Sequence, residues 1–190
     1  MRKIALSVAH SRLSPSIING FSEYALSLSL SLFCYEVLSK KHHVIIFDKS
    51  MFEKGTSYSV ALSKNIAQIN SFAPDIAVEQ HFNAAKNTGD YSLVLHSSSI
   101  TSKSLAEKVS AEYSNSLATI DRHLLADAKD PRYSGDAFIY KTNCPAIITE
   151  PIFLDNKRHA LYIESKDNLM KIAVCLIRGI DNYFKTDGDC

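Results

Sequence analysis

Two histidines and two glutamates stand where strands end or a helix begins. His10 closes KIALSVAH, Glu23 opens a helix in NGFSEYALSLSL, His81 closes PDIAVEQH and Glu150 closes PAIITE. Two imidazoles and one carboxylate are the ligand set of a catalytic zinc site that keeps a coordination position open. His10, Glu23 and His81 are therefore the expected metal ligands, and Glu150 the expected proton carrier. A centre of this kind polarises a carbonyl and lowers the pKa of water, which suits it to amide hydrolysis. Each residue alone has a plainer reading. A strand-end histidine is commonly a hydrogen-bonded structural residue, a glutamate in a first helical turn is favoured by the helix dipole, and Glu150 alone is an acid at the turn before Pro151.

The elements that must position these groups are legible as alternating periods. Ile4, Leu6 and Val8 alternate with small residues and predict a first strand delivering His10. Ser22 is a good N-cap, and Leu26, Leu30, Phe33 and Val37 follow helical spacing, which places Glu23 in the first turn. VIIFD at 44–48 reads as a buried strand, and Val60, Leu62, Ile66 and Ile69 as a helix ending before Pro74. Asp75 to His81 is the next strand, YSLVLH at 91–96 another, and Leu105, Val109 and Tyr113 mark a helix over about 102–117. Ala126 to Gly135 reads as an exposed loop, AFIY as a short strand and PAIITE as a strand. A final helix buries Leu169, Ile172, Leu176, Ile180 and Phe184. Such alternation predicts an α/β fold, a single domain over 1–190 with a mostly parallel twisted sheet and helices on both faces. In such sheets the ligand crevice lies beyond the carboxyl ends of strands, where His10, His81 and Glu150 fall.

Composition narrows the function classes. A formal net charge of +1 gives no overall electrostatic case for nucleic acid or an anionic membrane. The short cluster Lys40-Lys41-His42-His43 reads as a solvated turn at a helix end, and no apolar run is long enough to cross a bilayer. Met1-Arg2-Lys3 runs into too few apolar residues for a secretory leader, so no signal peptide is expected and the compartment stays open. Cys34, Cys144, Cys175 and Cys190 lack CxxC spacing and read as free thiols, with Cys34 and Cys175 buried in helices.

The order SVAHS, NGFSEYALSLSLSL, PDIAVEQHFNAA and CPAIITEPIFLDN resembles the zinc-dependent N-acetylmuramoyl-L-alanine amidases, the amidase-3 family of cell-wall hydrolases, from Ile4 to about Phe184. The resemblance implies zinc on His10, Glu23 and His81, with Glu150 as the catalytic carboxylate. It also implies a peptidoglycan muropeptide as substrate, cut at the amide between N-acetylmuramic acid and L-alanine, and a site of action at the bacterial cell wall. A zinc peptidase or amidase acting on another amide is the alternative enzyme, and a catalytically silent wall-binding protein of the same fold is the alternative of another class. Asn83 matches a polar position after the third ligand, where it would bind substrate, orient His81 or form a turn. Arg122 would meet a peptide carboxylate or stay at the surface. His96, beside Ser97-Ser98, is a weak candidate for the cleft wall.

Three departures from the family pattern stand out. Ser11-Arg12 replace the usual Gly-Gly pair after the first histidine, so the loop leaving the site takes ordinary dihedral angles or local strain. Glu79-Gln80 replace a Ser-Ile-like pair, and Glu79 shares a strand face with His81, where it would support that ligand. Pro151-Ile152 replace an apolar-Gly pair in the pocket floor. Some cell-division relatives block their zinc with an inserted helix, whereas Ala126 to Gly135 contains Pro131 and Gly135 and is too broken to hold one. The expectation is an open cleft that works without an activator protein.

Overall fold

Alternate strand residues face opposite ways, and in the computed structural model that alternation divides the apolar residues between two cores, one on each face of a six-stranded sheet. The structure describes residues 1–52, 54–85, 89–117, 122–129 and 136–186, without the side chains of 122–124 and 136. The elements are β1 (Lys3–Val8), β2 (Ile17–Ile18), β3 (Phe21–Ser22), α1 (Glu23–Leu38), β4 (His43–Phe47), α2 (Tyr58–Phe72), β5 (Ile76–Gln80), β6 (Tyr91–His96), α3 (Ile100–Ser116), β7 (Arg122–Asp127), α4 (Asp136–Lys141), β8 (Ala146–Glu150), α5 (Lys157–Ile163) and α6 (Lys166–Thr186), with a 3₁₀ turn at Lys49–Phe52. The sheet order is β4-β1-β5-β8-β6-β7, and β2 and β3 form a small separate ribbon.

Ile4, Leu6, Ile76, Val78, Val94 and Ile147 pack under α1, α3 and α6, while Ala5, Ala77, Leu93, Leu95, Ala146 and Ile148 pack under α2 and α4. The α/β architecture with helices on both faces is as expected. Strands β4, β1, β5 and β8 are mutually parallel. β6 joins β8 antiparallel, and β7 follows β6 in parallel, so this pair runs opposite to the rest. The carboxyl ends of β1, β5 and β8 therefore share one edge of the sheet.

Several local expectations are corrected. AFIY lies in α4 rather than a strand: so short an apolar run has no decisive period, and here Phe138 and Ile139 bury against the sheet while Thr142 donates back to the Phe138 carbonyl at 2.6 Å. β7 occupies RHLLAD, so Ala126 and Asp127 belong to a strand, and residues 130–135 of the expected loop lie outside the described residues. On α1 the buried stripe is Glu23, Ser27, Leu30, Ser31, Cys34 and Leu38, whereas Val37 is exposed. Leu30 is buried and Leu26 and Phe33 pack against the core as expected, and Ser27 and Ser31 share that buried face with them. Cys34 and Cys175 are buried free thiols and Cys144 is a half-buried one.

Helices α3 and α6 approach so closely at Gly179 that an added Cβ would lie 2.6 Å from Val109 Cα. Backbone cannot yield as a flexible side chain does. Gly179→Ala is expected to destabilise the protein by about 1–3 kcal/mol, because overpacking outweighs alanine's advantage of about 1 kcal/mol in helix propensity. A thermal melt that rises instead would show that the helices can part without cost.

Candidate metal centre

The end of β1 turns out of the sheet at His10, which adopts a left-handed backbone with φ of 55°. A left-handed backbone at a non-glycine residue costs on the order of 1–3 kcal/mol, and that strain falls on His10 while Ser11 and Arg12 keep ordinary φ. Ser11 and Ser14 then close the turn with reciprocal backbone hydrogen bonds at 3.4 and 3.2 Å. Glu23 enters from α1. Ser22 caps that helix by accepting from the Ala25 N–H, and one turn on, Ser27 Oγ accepts from the Ala9 N–H at 2.8 Å and donates to the Gln80 carbonyl at 2.5 Å. A single hydroxyl thus joins the start of α1 to the ends of β1 and β5, beside His10 and His81.

Glu23 sits between the two imidazoles. Oε2 is 2.8 Å from His10 Nε2 and Oε1 is 3.0 Å from His81 Nδ1. The two rings meet edge to face, with centroids 5.2 Å apart. One ligand atom from each of the three residues lies within 4.8 Å of the others. Two nitrogens and a carboxylate converging from three separate elements fit a zinc ion with room for a further ligand. The same residues line a cavity of about 260 Å³ with Ser16, Ile18, Asn83 and Glu150. Larger hollows lie elsewhere, one against α6 and one beside Ser97–Ser99, but the metal-ligating cluster lines neither.

Charges in the cluster support one another. Burial opposes ionisation of Glu23, but hydrogen bonds from His10 and His81 outweigh it and hold the carboxyl at about 2. Burial likewise disfavours a cation on His81, yet Glu23 and Glu79 together push it from 6.5 to about 10. A raised folded-state pKa stabilises the fold fully below the unfolded value, and that contribution is lost as pH rises through the folded value. Chelator-treated protein is therefore expected to lose thermal stability progressively between pH 6.5 and about 10. Replacing His81 by Asn should flatten that slope, and an unchanged slope would exclude this residue as its source.

Glu150 ends β8 on the cavity wall. Burial raises its pKa to about 7, with the His81 charge pulling down and Glu23 pushing up. Asn83 Nδ2 donates to Glu150 Oε2. That contact exists because the chains leaving β5 and β8 stay paired beyond the sheet: the Asn83 N–H donates to the Ile152 carbonyl at 2.9 Å and the Leu154 N–H to the Asn83 carbonyl at 2.8 Å. Asn83 therefore steers the carboxylate. Pro151, Ile152, Phe153 and Leu154 are all buried and none of them lines the cavity, so the segment expected as pocket floor packs into the interior instead.

The structure thus brings His10, Glu23, His81, Asn83 and Glu150 to one cavity. Arg122 begins β7, and its side chain lies outside the described residues. His96 is corrected: β6 is antiparallel to β8, so His96 pairs with Ile147 near the start of β8, at the opposite edge from Glu150. Sequence reasoning missed Lys49, which is fully buried and contacts Glu79 Oε1 at 2.5 Å. It also missed the buried polar stripe of Glu23, Ser27 and Ser31, whose spacing of four along α1 was the available signal.

A family model described as N-acetylmuramoyl-L-alanine amidase matches residues 4–182. Among solved structures, the CwlD amidase from Clostridioides difficile in complex with the GerS lipoprotein is 19% identical, with 98% of this chain and 100% of that one covered at a TM-score of 0.85. An N-acetylmuramoyl-L-alanine amidase from Clostridium difficile 630 is 20% identical, covering 98% of each chain at 0.83. The catalytic domain of the CD27L endolysin targeting Clostridia difficile is 24% identical, covering 96% of this chain and 98% of that one at 0.75. At these identities the solved structures establish the fold. A search of curated proteins finds no match.

Proposed function

The chain belongs to the amidase-3 family of N-acetylmuramoyl-L-alanine amidases, and from that membership we propose that it hydrolyses the amide between N-acetylmuramic acid and L-alanine of peptidoglycan, using zinc held by His10, Glu23 and His81. The observation that carries the proposal is the placing of Glu23 between two histidines in a cavity shared with Glu150. A zinc ion held there supplies Lewis acidity for the scissile carbonyl and lowers the pKa of water.

Glu150 acts as general base and then general acid. Its carboxylate takes a proton from the attacking water as the oxygen bonds to the carbonyl carbon, and delivers that proton to the alanine nitrogen as the C–N bond breaks. Asn83 holds Oε2 by its amide and so limits the carboxylate's rotation during both transfers. Water is the nucleophile, so no side chain needs to form a covalent intermediate. No helix among the described residues is long and apolar enough to cross a membrane, and the wall polymer is the proposed place of action.

The expectation of an enzyme that needs no activator protein finds no support among the solved structures. The CwlD structure is of an amidase in complex with a lipoprotein, so the fold alone does not imply an enzyme that works unaided. Residues 130–135 of the segment considered as a plug also lie outside the described residues.

Metal analysis of the purified chain, joined to mass spectrometry of digested peptidoglycan, tests the proposal. Stoichiometric zinc, free lactyl-muramic ends and new alanine amino termini are expected. Cleavage within the peptide stem would assign a zinc peptidase instead, and wall binding without cleavage a silent binding protein.

A further inference from the structure

Next to His81 lies a buried ion pair that the proposed reaction does not use. Lys49, in the turn after β4, is fully buried, and its Nζ donates to Glu79 Oε1 at 2.5 Å and to the Val8 carbonyl at 2.6 Å. Glu79 is 4% exposed and also accepts from Ser7 Oγ at 3.1 Å. Ser7 Oγ in turn accepts from Asn65 Nδ2 of α2 at 3.2 Å. The other carboxylate oxygen, Oε2, lies 3.2 Å from His81 Nε2. Lys49 and Glu79 are not among the residues lining the cavity.

A buried lysine–glutamate pair is a costly way to fill space, since desolvation offsets most of the attraction and apolar residues of similar volume commonly do as well. An apolar pair could not, however, present an acceptor to one chosen ring nitrogen. Both ring nitrogens of His81 face carboxylates, Nδ1 that of Glu23 and Nε2 that of Glu79; a metal held with Glu23 and His10 would take the place of the Nδ1 proton, and the Glu79 acceptor would then keep the remaining ring proton on Nε2. Lys49 acts at two points. It compensates the charge on Glu79, and through the Val8 carbonyl it ties the end of β1, two residues before His10, to the end of β5, two residues before His81.

We propose that Lys49 and Glu79 are positioning residues of the metal centre, which set the tautomer and ring direction of His81 so that Nδ1 faces the metal and which hold the β1 and β5 ligand arms in register. The inference rests on the zinc reading above. The support offered to His81 is a buried charged pair.

The test uses the full chain and zinc alone. Zinc affinity is measured by chelator competition for wild type, Lys49→Met/Glu79→Leu and Lys49→Met/Glu79→Gln, with thermal melts in chelator reporting the fold. The Leu double variant is expected to bind zinc about 10–100-fold more weakly, and the Gln variant, which restores an acceptor oxygen, to recover part of that loss. A purely structural pair would shift the melts of both variants and leave their zinc affinities equal to wild type, which would overturn the proposal. In zinc-loaded wild type, ¹⁵N imidazole shifts are expected to show His81 protonated at Nε2 and ligated through Nδ1. Ligation through Nε2 would overturn the proposal even if neither variant folds. Wild type that takes no zinc would remove the zinc reading and this inference together, whereas tight zinc binding with Nε2 ligation removes this inference alone.

Discussion

Glu150→Gln is expected to bind zinc as wild type does and to lose hydrolysis by about 10²–10⁴-fold, the usual worth of a positioned acid–base group. The amide keeps the size of the side chain and an oxygen for the Asn83 donor, but it cannot take a proton from water at neutral pH. Its place on the cavity wall, without membership in the three-residue ligand cluster, is why metal content should survive. The pH profile should carry the same signature. Burial holds Glu150 at about 7 in the metal-free protein, and the basic form exists above that value, so kcat/KM should rise with pH through an acid limb. A bound dication favours the carboxylate and places that limb below 7. Asn83→Ala removes a donor that favours the carboxylate, so its acid limb should move to higher pH. Full turnover by Glu150→Gln would assign the proton carrier elsewhere, and an unmoved limb in Asn83→Ala would deny Asn83 its steering role.

Replacing His10, Glu23 or His81 by Ala is expected to abolish stoichiometric zinc and activity while leaving the fold largely intact. Glu23→Ala should have the greatest effect on the centre. Its two oxygens contact both histidines, and Oε1 also accepts from the Phe82 N–H at 3.0 Å. Without that carboxylate the two imidazoles lose the group that orients both of them. The fold should persist because the cores lie beneath the strands, in residues such as Ile4, Leu6, Val78 and Ile147, and not at the strand ends. Metal analysis and a far-UV spectrum of each variant separate these effects. Three well-folded variants that all retain stoichiometric zinc would exclude this ligand set, and three that fail to fold would show that the site holds the structure together.

Much of the site was legible because its residues occupy positions that local patterns define. A strand is read from a period of two and ends where that period stops, which located His10, His81 and Glu150; Ser22 as N-cap located Glu23. The α/β alternation followed from the same periods. β7 and α4 escaped because their apolar runs are short, and on α1 the buried serines beside Leu26, Leu30 and Phe33 escaped because serines look like solvent-facing residues until they meet Ala9 and Gln80.

By itself, then, the sequence determined which groups capable of chemistry stand at the ends of which elements, since a strand end or a helix start is a property of neighbouring residues. Only the tertiary structure decided which of those ends meet. The reversal of β6 and β7 carries His96 to the far edge, the continued pairing beyond β5 and β8 brings Asn83 onto Glu150, and the burial of Lys49 against Glu79 braces His81. These outcomes depend on hydrogen bonds between residues distant in the chain, whose partners are chosen by strand order and direction. Hydrophobic periodicity carries no record of that choice.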